Sequence, residues 1–264
     1  MTEAQARRDL VRYSLAMHRA GWVANHDGNL SARVAPDRVI CTPTAFSKAD
    51  VTLSELVVVD DAGKKVAGAR RPFSEIALHA AIYSARPDVH AVVHAHPQHA
   101  TAYGVAGRTI PHPFLPEAVV SLGADIPLVP LTEPGTPAVA ALAPFIRRCD
   151  AVAVAGNGVF AWGPTLELAY LRLELVEHLA RIAWTAQPLG GVQALPPAMV
   201  ASLVAKRRSG GLAAPEEGAP MGASAAAATP VESGVLARVQ AGLPGTSPAL
   251  VAEITAQIKA ALGR

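Results

Sequence analysis

Apolar residues recur at helical spacing near the start of the chain. Ala6, Leu10, Val11, Leu15 and Ala16 form one stripe among Arg7, Arg8, Asp9 and Arg12, so residues 3–20 are expected to be a helix that Gly21 ends. The pattern then shortens to β-branched runs. Val39-Ile40-Cys41 and Leu56-Val57-Val58-Val59 read as strands, and Val89, Ala91, Val92 and Val93 as a buried strand. Ile76, Ala80 and Tyr83 mark a helix, with Ser74 as its N-cap and Glu75 in its first turn. Short helices are expected at residues 98–107 and 117–122, a short strand at 126–130, and a helix through Val139, Leu142 and Ile146. Residues 151–155 form a clean apolar strand, with Val159 to Trp162 as its continuation past Gly156-Asn157-Gly158. A long helix follows from Pro164 to about residue 186, with apolar positions at 166, 169, 173, 176 and 180 and more alongside. So wide a stripe belongs in a core or a subunit interface. Strands alternating with helices imply a layered α/β domain.

Composition sharpens this picture in three places. A chain of 264 residues with 51% hydrophobic and 17% charged residues can fill a sizeable core and does not read as disordered. Its net charge of +2 is too small for nucleic-acid binding by bulk electrostatics. Cys41 and Cys149 are too few for a disulfide framework and are expected as buried thiols in a reducing compartment. Residues 1–20 lack the apolar centre of a signal peptide, and no apolar run of about 18 residues is present, so the expectation is a cytoplasmic protein without a membrane span. Composition shifts at Ser209, dividing the chain into a main domain (1–208), a flexible small-residue linker (209–230) and a tail (231–264) with two amphipathic segments. The second segment has Ser247 as N-cap, Pro248 at N1, and Leu250, Val251, Ile254, Ile258 and Leu262 on one side. A helix this short gains stability only when its apolar face is covered.

The chemistry concentrates at the end of the third strand. His94 and His96 stand two residues apart, and residues i and i+2 of a strand share a face, so both imidazoles can address one metal. Such a site still needs a third or fourth ligand. Residues 25–33 form a small-polar stretch in which Gly28 permits unusual backbone angles and Asn29 and Ser31 can offer donors to an anion; an ordinary Asn-Gly-type turn accounts for it equally well. Thr42 to Lys48 is a second hydroxyl-rich loop. Taken alone, Glu75 reads first as a surface acid complementing the helix dipole, and His79 as a packed helix residue rather than a ligand.

Taken in order, Gly28-Asn29-x-Ser31-x-Arg33, Thr42-Pro43-Thr44, Ser74-Glu75, His79-x-x-Ile82-Tyr83, His94-x-His96, Gly135-Thr136 and the Gly158 to Gly163 ending resemble the class II aldolase/adducin family over roughly residues 5–190. The resemblance implies a three-layer α-β-α sandwich with a mixed, largely antiparallel central sheet, assembled as a homotetramer with active sites at subunit boundaries. It implies a metal-dependent aldolase that cleaves a sugar phosphate, such as fuculose- or rhamnulose-phosphate, into dihydroxyacetone phosphate and lactaldehyde. The implied cofactor is a divalent metal, zinc in the family, held by histidines matching His94 and His96 with Glu75 beside them. The resemblance also implies that Glu75 moves the proton and that Asn29, Thr44 and Ser74 bind the substrate phosphate. The family's third zinc histidine corresponds to Asn157, a much poorer zinc ligand. Ala45 and Phe73 replace a glycine and a serine of the phosphate site, and the tyrosine that protonates the aldehyde oxygen in some members has no counterpart near Pro116-Glu117. The alternative is a non-catalytic, adducin-like scaffold or binding protein that has lost the metal. The tail resembles encapsulation peptides of bacterial microcompartments, implying a shell protein as partner of residues 231–264; a helix folding back on its own tetramer is the alternative.

Overall fold

A computed structural model describes residues 2–218; the later part of the linker and the amphipathic tail, with its shell-protein expectation, lie outside the described residues. The elements run α1 (Glu3–Arg19), β1 (Asn29–Ala35), β2 (Arg38–Cys41), β3 (Val57–Val59), β4 (Lys65–Ala67), α2 (Ile76–Ala85), β5 (Ala91–Ala95), α3 (Gln98–Val105), α4 (Pro116–Leu122), β6 (Leu128–Val129), α5 (Thr136–Ile146), β7 (Ala151–Val154), β8 (Val159–Gly163), α6 (Leu166–Ala186) and α7 (Pro197–Ser209). The strands make one eight-stranded sheet in the order β4-β3-β2-β1-β5-β8-β7-β6. Only the β6–β7 pair is parallel; the other pairs are antiparallel. The mixed, largely antiparallel sheet expected from the sequence is present.

Alternation along the central strands decides which side chain meets which layer. Ala91, Val93 and Ala95 of β5, with Val159 and Ala161 of β8, enter the core beneath α1, α3, α4 and α6. Val92 of β5 and Phe160 and Trp162 of β8 enter the opposite core, beneath α2 and α5. His94 shares the second face with Val92, two residues earlier. In α1, Ala6, Leu10, Tyr13 and Met17 are buried at spacings of three and four, and the Thr2 hydroxyl caps the helix by accepting from the Gln5 N–H. The α6 stripe lies where the periodicity puts it, with Leu166, Ala169, Leu173, Val176 and Ala180 buried. Cys41 and Cys149 are free and buried. Among the described residues no helix is long and apolar enough to cross a membrane.

Five local readings are corrected. Residues 29–35 form a strand: Leu30 and Ala32 point into one core while Asn29 and Ser31 are buried on the other face, so the polar stretch is an internal strand edge to edge with β5. Val159–Gly163 is a separate strand, turned back antiparallel on β7 through Gly156 to Gly158. Glu75, not Ser74, occupies the N-cap of α2, and its side chain makes no capping bond. Helix α7, which the sequence reading passed over, packs along α4. The small-residue composition that starts at Ser209 does not mark the end of packed structure, because Glu216 pairs with Arg147 and Glu217 with Arg207.

Candidate active site

His94 lies near the end of β5 and His96 just past it, and each has its Nδ1 beside a carbonyl or carboxylate oxygen. His94 Nδ1–H donates to the Val159 carbonyl at 3.0 Å, so Nε2 presents a lone pair 3.3 Å from Glu75 Oε2. Its ring is buried and stacked on Phe160 at 3.9 Å between centroids. Burial holds this imidazole below its ordinary pKa, against the pull of Glu75, so it is neutral. His96 Nδ1–H donates to Asp27 Oδ2 at 2.9 Å, and Nε2 faces Asn157 Oδ1 at 3.3 Å. A carbonyl or carboxylate on Nδ1 with Nε2 left bare is the arrangement of metal-ligating histidines.

Glu75 joins the two halves. Asn157 Nδ2 donates to Oε1 at 2.7 Å and Asn29 Nδ2 to Oε2 at 2.9 Å. Burial alone would raise this carboxyl, but His94 and the two amide donors outweigh it and hold it below its usual range. Because the Asn157 amide spends its N–H on Glu75, its oxygen must turn toward His96. With each imidazole protonated at Nδ1 alone, Nε2 of His94 faces a carboxylate and Nε2 of His96 an amide oxygen. Only a proton or a cation relieves that opposition. The donor set therefore fits a divalent metal held by His94, His96 and Glu75, with Asn157 as a neutral oxygen ligand. Among the described residues no three His, Cys, Asp or Glu side chains already surround one point, since His94 sits with Glu75 and His96 with Asn157.

Two glycines let the backbones approach. At Gly28 (φ +68°) a Cβ would lie 2.4 Å from Val23 Cγ1 and 3.1 Å from the His94 carbonyl, so only glycine brings Asn29 beside His94. At Gly158 (φ +68°) it would stand 2.2 Å from the Ala95 carbonyl oxygen and 2.5 Å from the His96 ring.

Of the residues expected at the site, the structure joins Asn29, Glu75, His94, His96 and Asn157 by direct contacts. Ser74 is exposed on the wall of a cavity of about 340 Å³ that Glu75 and Asn157 also line. Thr44 lies apart from the cluster; its N–H donates to the Arg71 carbonyl, and Pro43 bridges to Pro72, which lays the 42–44 loop beside the Ser74 loop. His79 is packed, as expected, with Nδ1 2.7 Å from the Ser31 hydroxyl and its ring edge-on to Phe73; burial pushes its pKa down to about 3. Two supporting residues were missed. Asp27 orients His96 across 69 positions, and only an acid beside an Asn-rich turn hinted at it. Glu177 of α6 accepts from the His99 and Ala100 N–H groups and the His99 ring, capping α3 two residues past His96. It lies inside a helical stripe that gave no sign of the role.

The Class II Aldolase and Adducin N-terminal domain matches residues 8–184. A 3-oxo-tetronate 4-phosphate decarboxylase of Cupriavidus necator is 31% identical over 198 residues, which cover 73% of this chain and 90% of that protein. An L-fuculose phosphate aldolase of Escherichia coli is 33% identical over 179 residues, covering 67% and 82%. The solved structure of an L-fuculose 1-phosphate aldolase superposes with a TM-score of 0.72 at 25% identity, over 79% of this chain and 98% of that one. With the domain matched over residues 8–184 and the fold shared, the chain belongs to the class II aldolase and adducin N-terminal domain family.

Proposed function

We propose that the protein is a metal-dependent aldolase that cleaves a phosphorylated ketose, of the fuculose- or rhamnulose-phosphate kind, into dihydroxyacetone phosphate and an aldehyde. The observation that carries the reading is the set of opposed acceptors, His94 Nε2 against Glu75 and His96 Nε2 against Asn157, at the mouth of one sheet face. A divalent cation held by these residues would supply Lewis acidity, polarising the substrate carbonyl.

The chain's own residues do the rest. The hydroxyl on the carbon to be released loses its proton as the carbon–carbon bond breaks. The bond pair stays on the carbon beside the ketone, giving an enediolate, and that carbon is then protonated. No oxidant is needed. Glu75, with Oε2 facing His94 and both oxygens oriented by amides, is the group placed to carry the proton to carbon. Asn29, Thr44 and Ser74 are the neutral donors assigned to the phosphate. A homotetramer with sites at its subunit boundaries goes with this reading, and a monomer in sedimentation at micromolar concentration would count against it.

A second reading is decarboxylation of an oxo acid phosphate, which passes through the same enediolate. It is favoured by the missing tyrosine near Pro116-Glu117, because departing carbon dioxide needs no proton partner. Metal content and dihydroxyacetone phosphate release from fuculose 1-phosphate, rhamnulose 1-phosphate and 3-oxo-tetronate 4-phosphate separate the possibilities. The aldolase reading expects release from a ketose phosphate, inhibition by a chelator, and a loss of about 10²–10⁴ in kcat for Glu75→Gln. A protein that holds no metal and releases nothing from any of the three would instead be the scaffold.

A further inference from the structure

Apart from Ser74, Glu75, Thr132 and Asn157, the side chains that line the cavity beside the site are apolar. Its floor is Leu78, Leu142 and Phe160, which are 7%, 2% and 1% exposed, and Ala138 and Val154 extend the apolar wall. Leu131 stands at the mouth, 69% exposed. Among the described residues no lysine, arginine or histidine lines it, and Glu75 is the one ionisable group on its wall. A phosphate dianion moved from Ser74 onto the apolar lining would have neither a cation nor a hydroxyl to offset its charge. The hydroxyls of a polyhydroxylated chain lying on Leu78, Leu142 and Phe160 would find no side-chain partner there. A hydrocarbon chain gains from the same surface. At about 340 Å³ the space falls within the range of small-molecule sites, and its polar end is the group of residues assigned to the chemistry.

We propose that this cavity binds the hydrocarbon part of the aldehyde that the aldol cleavage releases, so that the physiological aldehyde is aliphatic and larger than lactaldehyde. The proposal rests on the aldolase reading of the site and refines its substrate class. Decarboxylation would give the cavity nothing to hold, because carbon dioxide needs no apolar chamber. The carbonyl carbon lies at the Glu75 and Asn157 end and the chain points toward Leu142. A longer chain should bind about fourfold more tightly for each added methylene until the space is filled, from the usual transfer energy of that group.

Two measurements on the full-length, metal-loaded protein test this. The first is binding without turnover: methyl NMR of the leucine and valine side chains during titration with 3-methylbutan-1-ol, in wild type and in Ala138→Phe, whose ring would occupy the cavity. Saturable shifts at Leu131, Leu142 and Val154 that disappear in the variant support the subsite. Absent shifts, or shifts that persist in the variant, overturn it whatever the enzyme's activity. Shifts that follow protein concentration instead of alcohol put a second copy of the chain over the mouth, and also overturn it. The second is condensation of dihydroxyacetone phosphate with glycolaldehyde, lactaldehyde, butanal and 3-methylbutanal. A kcat/KM at least tenfold higher for the two apolar aldehydes, with Ala138→Phe reducing that preference, is the expected result. A preference for the hydroxylated aldehydes sinks the substrate class while leaving the aldolase reading intact. Alcohol binding without condensation of any aldehyde does the reverse.

Discussion

Replacing Asp150 by alanine should remove about 3–5 kcal/mol of stability, the usual cost of breaking a buried ion pair by deleting one partner. Asp150 is fully buried at the entry to β7 and gathers arginines from three elements. Its Oδ1 accepts from Arg86 at the end of α2 at 2.9 Å, and its Oδ2 from Arg172 of α6 at 2.8 Å and Arg207 of α7 at 2.5 Å. Those guanidiniums are 3%, 5% and 0% exposed, so without the carboxylate three cations remain out of water. Arg86 and Arg207 keep other partners, Asp88 and Glu217. Arg172 keeps only the Trp162 carbonyl at 2.6 Å, and burial already pulls its pKa down, so it bears most of the loss. Against a total of about 5–15 kcal/mol for a domain, this is a large share. It corresponds to a melting point lower by roughly 6–20 °C for a domain of this length. Urea unfolding followed by tryptophan fluorescence measures the free energy, provided the slope with denaturant is unchanged. Asp150→Asn is the decisive control, since it keeps the shape and one acceptor but not the charge. If the asparagine protein stays within about 1 kcal/mol of wild type, charge is not what holds the three arginines, and the reasoning is wrong.

Three other outcomes follow. His79 has a folded pKa of about 3 against 6.5 for the unfolded chain, so as pH falls the unfolded state takes the proton first; stability present above pH 6.5 is lost progressively down to about pH 3, roughly 5 kcal/mol in all. The stability difference between wild type and His79→Gln should therefore shrink as pH falls through that window, and a pH-independent difference in urea unfolding would refute the assignment. Asn157→His should tighten zinc binding by about tenfold or more, because it adds an imidazole where even an outer-shell partner is worth that much; chelator competition giving equal affinities would show that Asn157 is no weakness. Glu177→Gln should cost about 1 kcal/mol as a lost charged cap and speed hydrogen exchange at the His99 and Ala100 amides, while unchanged exchange there would mean that the three contacts carry no weight.

Much of this was legible in residue order because it depends on near neighbours. The stripes of α1 and α6 and the β-branched run of β5 are periodicities carried within each segment, and the i, i+2 spacing puts His94 and His96 on one face. The family motifs gave the positions of Glu75 and Asn157 along the chain. What the pattern could not reveal was β1, since Asn29, Ser31 and Arg33 look solvated until His79, Tyr83 and Glu75 are seen to satisfy them. Nor could it separate β7 from β8, because two short apolar runs across a glycine turn read alike whether they continue or fold back. The state of the site belongs wholly to tertiary structure. Asn29 meets Glu75 across 46 positions, His96 meets Asp27 across 69, and Asn157 meets Glu75 across 82. Tautomer, amide orientation and carboxylate charge are set by those partners. A local period records which way a side chain faces, but only the closed sheet determines what it finds there.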